Sequence, residues 1–153
     1  MRSLLAVLFS CALLAGCSQG GGQSGLPVSR LVIDAQKGPV AFNVEIAADP
    51  ASQQRGLMFR TELAPDAGML FVFQHPDPQV FWMKDTPLSL DMLFIRADGT
   101  VSTIAANTVP YSTDPIPSSE PVRAVLEING GRAAVLGIRP GDKVHAAAFG
   151  NGP

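Results

Sequence analysis

Glycine and proline interrupt this sequence so often that only short elements of secondary structure fit between them. The chain has 153 residues, of which 15 are Gly and 13 are Pro, and both residue types favour turns over long helices. In the segment 40–46, four apolar residues alternate with smaller or polar ones: Val40, Phe42, Val44 and Ile46. Such alternation is typical of a strand that buries one face. The sequence therefore predicts many short strands rather than a helical bundle.

The same pattern recurs along the chain and defines the expected fold class. It predicts seven or eight strands, at residues 31–35, 40–46, 68–73, 79–83, 88–95, 101–105, 121–128 and 143–148. Asp49 suits the N-cap of a helix that runs to about Leu57, and residues 132–136 suit one further helical turn. We therefore expect a mostly β protein, a compact antiparallel β-sandwich or barrel-like domain with one or two short helices.

The first 16 residues have the composition of an export signal. Arg2 is their only charge, and the apolar stretch that follows, residues 3–16, is shorter than the about 20 residues that cross a bilayer. The segment ends in Leu14-Ala-Gly-Cys17, which resembles the lipobox of bacterial lipoproteins. The resemblance implies diacylglycerol on the Cys17 sulfur, cleavage before Cys17, and acylation of the new amino terminus with a fatty acid such as palmitate. An ordinary signal peptide that contains a cysteine is the alternative.

The remainder of the chain predicts one tethered domain. Residues 17–26 hold the lipidated cysteine and a flexible tether rich in Gly and Ser, residues 27–149 form a single globular domain, and residues 150–153 form a tail. We therefore expect an exported protein of the cell envelope that is anchored in a membrane through Cys17. In a Gram-negative source it would sit in the outer membrane and face the periplasm.

Charge and cysteine content argue against several functional classes. A net charge of −2 provides no electrostatic footprint for nucleic acid. Apolar residues make up 46% of the chain and charged residues 16%, which fits a packed core rather than disorder. Once Cys11 leaves with the signal and Cys17 carries lipid, no thiol remains for a disulfide or a zinc site. We expect no cofactor, no metal, no nucleic-acid partner and a monomer.

The richest candidate site lies in the segment 81–95. It holds the only Trp of the chain, Trp82, followed closely by Lys84, Asp85 and Thr86. A partly exposed Trp beside polar groups can stack on a sugar or another flat ligand, whereas a fully buried one would only fill the core. We therefore count these four residues among the candidate ligand-binding residues.

Asp91 is the second candidate, because it lies within an apolar strand. A buried and unpaired carboxylate costs several kcal/mol, so Asp91 needs either a cation or several N–H donors. Arg55 and Lys84 are the natural cations. We predict that Arg55 and Asp91 pair and line one site. A purely structural ion pair or turn clamp is the alternative.

Arg55 and Glu127 complete the candidate ligand-binding set. Arg55 either complements the dipole of the preceding helix or serves as an anchor for a carboxylate or phosphate. Glu127 alternates with apolar neighbours, and if it faced Asp91 the two carboxylates could perform acid–base chemistry as in glycosidases. No Ser occupies a nucleophile-elbow pattern, so a Ser-His-Asp triad is disfavoured and the catalytic residues stay unassigned.

Several motifs occur in an order that resembles the bacterial and archaeal domain of unknown function 192 family. They are Arg55-Gly-Leu-Met58, Gly68-Met-Leu-Phe-Val-Phe73, Phe81-Trp-Met-Lys84 with Thr86-Pro87 and Leu90-Asp91, Val125-Leu-Glu127, and Gly141-Asp142. The resemblance implies a compact, mostly antiparallel β fold with a short helix, often exported, and supplies no established activity. Asp85 stands where the family usually has Asn, which adds a charge beside Lys84.

Three functions compete at this point. The first is a lipid-anchored envelope module that binds a small ligand, which an open cleft joining Trp82, Arg55 and Asp91 would favour. The second is a small envelope hydrolase that uses Asp91 or Glu127 as base with Arg55, which a raised carboxyl pKa in that cleft would favour. The third is a structural or docking protein, which a dry core around Trp82 would favour. We expect the first.

Overall fold

The structure is a computed structural model that describes residues 24–152. The expected export signal, the lipidation site at Cys17 and most of the tether lie outside the described residues. Within residues 24–152, no helix is both long enough and apolar enough to cross a membrane. The structure therefore bears on the globular domain, and the expected anchor stays a prediction from the sequence.

Between residues 24 and 152 the chain forms nine β-strands, two short α-helices and a final 3₁₀ turn. The elements are β1 (Val28–Ala35), β2 (Gly38–Ala47), α1 (Pro50–Arg55), β3 (Ala67–Asp77), β4 (Val80–Phe81), β5 (Leu90–Ile95), β6 (Val101–Ala105), β7 (Ile116–Pro117), β8 (Val122–Asn129), α2 (Arg132–Leu136), β9 (Lys143–His145) and the 3₁₀ turn Ala147–Phe149. The expected mostly β class with short helices is confirmed.

Seven of these strands form one sheet in the order β6-β5-β8-β3-β2-β1-β9. All neighbours are antiparallel except β2 and β3, which run parallel because the chain crosses between them through α1. The outer strands meet, since the backbone N–H of Val101 donates to Asp142 (2.9 Å) and that of Val144 donates to Gly99 (2.8 Å). The sheet thus curls into a barrel-like shape, and β4 pairs with β7 in a small second sheet.

Capping explains the position of α1, which sets one wall of the site described below. The Asp49 side chain accepts hydrogen bonds from the backbone N–H of Ala51 and of Ser52, both at 3.0 Å, and Pro50 occupies the first turn. The helix ends at Arg55 because Gly56 follows with a φ of 47°. This is two residues before the expected end at Leu57, so Leu57 is free to turn into the core.

The sheet separates two apolar cores. The barrel core fills the inside of the curled sheet and includes Leu31, Phe42, Leu70, Leu93, Leu126 and Ile128. The outer core covers the other face of β3, β5 and β8 and includes Leu57, Met69, Phe71, Met83, Met92, Phe94 and Val125. All six residues of β5 are buried because this strand contributes side chains to both cores.

The structure corrects the extent of several predicted elements. The predicted strand 79–83 is reduced to β4, because the backbone N–H of Met83 donates to Ser112 in a loop rather than to a neighbouring strand. The predicted last strand ends at His145, after which the chain forms the 3₁₀ turn. Between the predicted strands 101–105 and 121–128 the structure adds the short strand β7.

Candidate functional site

Asp91 is a fully buried carboxylate that is satisfied by backbone N–H groups alone. One of its oxygens accepts from the N–H of Asn107 (2.8 Å) and of Gly131 (2.9 Å), and the other accepts from Ala133 (2.8 Å). Two of these donors belong to the start of α2, so Asp91 ties β5 to the first turn of that helix. Three charge-assisted hydrogen bonds offset the cost of burying the carboxylate.

The predicted Arg55–Asp91 pair is therefore wrong, and so is Lys84 as the partner of Asp91. Among residues 24–152 the ion pairs are Arg60–Glu45, Arg96–Glu120 and Lys143–Asp98, and the ring of His145 contacts the carboxyl of Asp34. Arg55 instead lies over the ring of Phe59, with 5.9 Å from its guanidinium carbon to the ring centroid. Lys84 lies over the Trp82 ring at 5.7 Å. Asp91 follows the alternative that the sequence left open, a turn clamp built from several N–H donors.

The idea that Asp91 and Glu127 face each other is also wrong. In the antiparallel pairing of β5 with β8, Asp91 lies opposite Ile128, and Met92 lies opposite Glu127. Because neighbouring residues of a strand point to opposite faces, Asp91 points to the side of Ile128 in the barrel core and Glu127 points to the side of Met92 in the outer core. The two carboxyl groups lie on opposite faces of the sheet.

Glu127 instead forms part of the lining of a cleft of about 220 Å³ on the outer face of the sheet. The end of α1 contributes Gln53 and Arg55, and the strands β3 and β4 contribute Phe71 and Phe81. The cleft is small beside the pockets of drug-sized ligands, which measure about 300–1,000 Å³. It is nevertheless the place where chemistry-bearing side chains of three distant segments converge.

Within residues 24–152 the carboxyl group of Glu127 has no hydrogen-bond or ion-pair partner. Its neighbours on the adjacent strands, Met69 and Met92, are both buried, and their side chains have no N–H or O–H group. Glu127 is 4% exposed, and burial alone raises the pKa of its carboxyl to about 8. At neutral pH this group is therefore mainly protonated, so that it can donate a hydrogen bond as well as accept one.

Aromatic side chains form the apolar wall of the cleft. Phe71 and Phe81 pack edge to face with ring centroids 5.1 Å apart, and Phe81 packs on Phe94 at 6.1 Å. Trp82 also lines the cleft and is 52% exposed, so its ring is available to a ligand. The alternative that Trp82 only fills the core is thereby excluded. The expected cleft joining Trp82, Arg55 and Asp91 is not formed as expected, because the cleft holds Trp82, Arg55 and Glu127 but not Asp91.

Three loops beside the cleft, here called its rim, hold one another by backbone hydrogen bonds, and Met58 and Thr86 from these loops line the cleft. The N–H of Phe59 donates to the carbonyl of Asp85 (2.7 Å), and the N–H of Tyr111 donates to that of Thr86 (3.0 Å). The donors Phe59 and Tyr111 and the acceptor Asp85 all have positive φ, at 64°, 61° and 53°. Bulky residues rarely adopt this conformation, and such strain often accompanies functional sites.

Asp85 and Thr86 have identifiable structural roles in this rim. Asp and Asn tolerate positive φ better than other non-Gly residues, so Asp85 serves the backbone turn as the usual Asn would. The buried hydroxyl of Thr86 donates to the carbonyl of Lys84 (3.0 Å) while Thr86 also lines the cleft. Of the predicted site residues, the structure brings Arg55, Trp82, Thr86 and Glu127 into one cleft and leaves Lys84 and Asp85 beside it and Asp91 outside.

Several residues of this site were not among the candidates that the sequence indicated. Phe71 and Gln53 line the cleft, and Phe59 and Tyr111 are exposed in the rim loops without lining it. Phe71 lies in one of the family motifs, which could have indicated it. No sequence pattern predicts a positive φ at a Phe or Tyr, so the conformation of the rim was not predictable. As for metals, residues 24–152 contain no group of three or more His, Cys, Asp or Glu side chains that could hold an ion.

Comparisons with known proteins place this architecture in context. The model of the family DUF192, described as "Uncharacterized ACR", matches residues 31–146. A crystallised protein of unknown function from Novosphingobium aromaticivorans is 48% identical with a TM-score of 0.79, over 80% of this chain and 88% of that one. A putative transcription regulator from Sinorhizobium meliloti is 45% identical with a TM-score of 0.78, over 80% of this chain and 96% of that one. A search of curated proteins finds no match.

Proposed function

Because the chain belongs to the DUF192 family, we propose that the cleft, which lies within the matched residues 31–146, binds a small ligand. We further propose that the protein is a lipid-anchored binding module of the cell envelope. The observation that carries the proposal is the carboxyl group of Glu127. It is buried, lacks a partner within residues 24–152 and lines a cleft open to solvent. A ligand would supply the missing polar partner.

The shape of the cleft supports a ligand with an apolar or flat body and a few polar groups. Phe71 and Phe81 offer an apolar wall, and the exposed ring of Trp82 offers a stacking surface at the mouth. Gln53 is already engaged, since its side-chain amide donates to the carbonyl of Val72 (2.8 Å). Arg55 and Glu127 are the ionisable side chains of the lining, and Gln54 and Thr86 add uncharged polar groups.

The envelope part of the proposal rests on the sequence. The motif Leu14-Ala-Gly-Cys17 and the polar tether after it support export and acylation of Cys17. The eight tether residues 18–25 would give a root-mean-square reach of about 15 Å from the membrane. Each buried CH₂ of an acyl chain adds about 0.8 kcal/mol of membrane affinity, so several chains would hold the protein permanently.

The second candidate function is an envelope hydrolase, and the raised pKa of Glu127 favours it. A carboxyl group with a pKa of about 8 can act as a general acid or base near neutral pH. Asp91 is removed from this role because its oxygens hold three backbone N–H groups on the other face of the sheet. Glu127 would have to act with Arg55 alone, and the cleft offers no nucleophilic side chain beyond the engaged hydroxyl of Thr86.

Two other functions, DNA binding and a purely structural or docking role, are less well supported. The Sinorhizobium meliloti relative is described as a putative transcription regulator, but a net charge of −2 gives this chain no basic footprint for DNA. A purely structural or docking role would be favoured by a closed, dry core around Trp82, whereas this ring is half exposed beside an open cleft.

A ligand screen by thermal shift tests the binding function. The full-length chain, purified in detergent, is melted with a library of small polar and aromatic compounds beside the Glu127→Gln and Glu62→Gln variants. Glu62 is exposed and does not line the cleft. A compound that stabilises the wild type and the Glu62 variant but not the Glu127 variant supports the proposal. Compounds that stabilise all three proteins equally would place binding elsewhere.

Membrane fractionation tests the anchor. We expect Cys17→Ala to abolish incorporation of labelled palmitate in a bacterial host and to release the protein from the membrane fraction. Ser18→Ala is the matched control, because it changes the adjacent residue and leaves the cysteine in place. Equal membrane association of both variants, with no label in either, would refute lipidation.

A further inference from the structure

The cleft is lined by two side chains of opposite character that do not contact each other. Glu127 lies within its apolar part, and Arg55 is exposed at its mouth over the ring of Phe59. Neither takes part in an ion pair among residues 24–152. An acidic and a basic group that share a cleft without pairing leave room for a ligand that joins them.

The surroundings of Glu127 favour a cation at the buried end. The side chains on the adjacent strands, Met69 and Met92, cannot donate a hydrogen bond, and no residue of 24–152 forms an ion pair with Glu127. An ammonium group would supply both charge and N–H donors. The faces and edges of Phe71 and Phe81 bound the same space, and aromatic walls are well suited to ammonium groups.

The mouth of the cleft favours an anion. Arg55 presents five N–H donors in a planar fork, which suits a carboxylate or phosphate. Lys84 adds a second positive charge beside Trp82, and the neighbouring Asp85 offsets part of it, so Arg55 carries the contact. A ligand with only a positive charge would have to pass these cations without gaining from them.

We propose, on the premise that the cleft binds a ligand, that this ligand is a small zwitterion whose ammonium group meets Glu127 and whose anionic group meets Arg55. The volume of about 220 Å³ limits the body between the two charges to a few carbon atoms. The class that fits is an aliphatic amino acid or a similarly sized amino acid derivative.

Matched probe series test the charge requirement. Linear amino acids of two to six carbons are titrated into the full-length chain by calorimetry, beside the alkylamine and the fatty acid of the same carbon number. For at least one chain length we expect the amino acid to bind about 10-fold or more tightly than either single-charge analogue, since each contact to a charged group adds affinity. Binding at pH 7 should also release protons, which calorimetry in two buffers of different ionisation enthalpy measures.

Three variants assign the two ends. Arg55→Gln should lower the affinity of the amino acid to that of the alkylamine, and Glu127→Gln should lower it to that of the fatty acid and abolish proton release. Arg139→Gln, a change at an exposed arginine outside the cleft, should have no effect. Because Arg55 is exposed, its variant folds whatever the fate of the Glu127 variant.

Two results would overturn the inference, and they differ from failure of the binding function. An alkylamine or a fatty acid that binds in the cleft as tightly as every amino acid of the series would remove the zwitterion and leave a binding cleft. No affinity for any amino acid, while another compound in the thermal-shift screen depends on Glu127, would do the same. If no compound depends on Glu127 in either experiment, the proposed binding function falls as well.

Discussion

Asp91 and Glu127 are two buried carboxyl groups on neighbouring strands, one register step apart, with opposite surroundings. Asp91 is 0% exposed and accepts three backbone hydrogen bonds from Asn107, Gly131 and Ala133. Glu127 is 4% exposed, lies between Met69 and Met92, and accepts none from residues 24–152. The sheet that separates them thus separates a closed core from an open cleft.

The difference shows how a fold assigns work to chemically similar side chains. Backbone N–H groups from two loops donate to Asp91, so Asp91 stabilises the fold by joining these loops to β5. The cross-strand neighbours of Glu127, Met69 and Met92, supply only apolar contact, so burying its ionised form costs free energy that a ligand in the cleft would offset. When the free energy of burying a carboxyl group is not offset within the fold and the group lines a cleft, the group is more consistent with function than with stability.

The largest expected effect concerns Asp91. Asp91→Ala should lower the free energy of unfolding by about 5 kcal/mol, because one buried and two partly buried N–H groups lose their acceptor at about 1–3 kcal/mol each. Asp91→Asn keeps one acceptor oxygen and should lose about half as much. Chemical denaturation of both, with the exposed Asp77→Asn as control, measures the effect. A loss below about 1 kcal/mol for Asp91→Ala would contradict the structural role.

The second expected effect concerns the pH dependence that Glu127 imposes on stability. The unfolded chain loses this proton above a pH of about 4.5 and the folded chain holds it to about 8, so the folded state binds more protons between these values. Stability should therefore fall as pH rises, by about 3 kcal/mol from pH 5 to pH 8. Hydrogen bonds lower the pKa values of Asp49, Asp98 and Glu120. These three groups therefore change the stability only at pH values below the range in which Glu127 acts.

Glu127→Gln should remove this slope, because an amide has no proton to lose. Denaturation curves of the wild type and the variant at pH 5, 6, 7 and 8 provide the measurement. The variant should equal or exceed the wild type in stability at pH 8. Parallel profiles for the two proteins would show that Glu127 titrates normally in the folded state.

The smallest expected effect is the coupling between Arg55 and Asp91. The two lie at different sites, since Arg55 is at the mouth of the cleft and Asp91 is enclosed by the start of α2. In a double-mutant cycle of Arg55→Met with Asp91→Asn we expect an interaction free energy below about 0.5 kcal/mol. A coupling well above about 1 kcal/mol would restore the ion pair that the sequence suggested.

The sequence predicted what local pattern controls. Alternation located β1 and β2, and Asp49 located the start of α1. The requirement that a carboxylate in an apolar strand must find donors was sound for Asp91. These predictions depend on residues within a few positions of one another, which is the range over which propensity and capping act.

The sequence could not identify partners that depend on strand register and distant loops. The donors to Asp91 come from 16, 40 and 42 residues away, and nothing near Asp91 in the sequence points to them. Whether Glu127 and Asp91 lie on the same face of the sheet depends on the register between β5 and β8. A shift of one residue in that register would place them on the same face. The loops beside the cleft contain residues with positive φ, such as Phe59. The identity of a Phe residue does not predict this backbone conformation.

The most direct test of the account is a titration of Glu127 itself. The side-chain carboxyl carbon of Glu127 is followed by ¹³C NMR from pH 4 to pH 10, and Glu127→Gln assigns the resonance. The account predicts one glutamate with a titration midpoint at about 8, and a midpoint that moves to lower pH when a ligand with an ammonium group occupies the cleft. A midpoint near the ordinary value of about 4.5 would show that Glu127 is a solvated carboxylate, and would contradict the claim that the fold leaves its burial uncompensated.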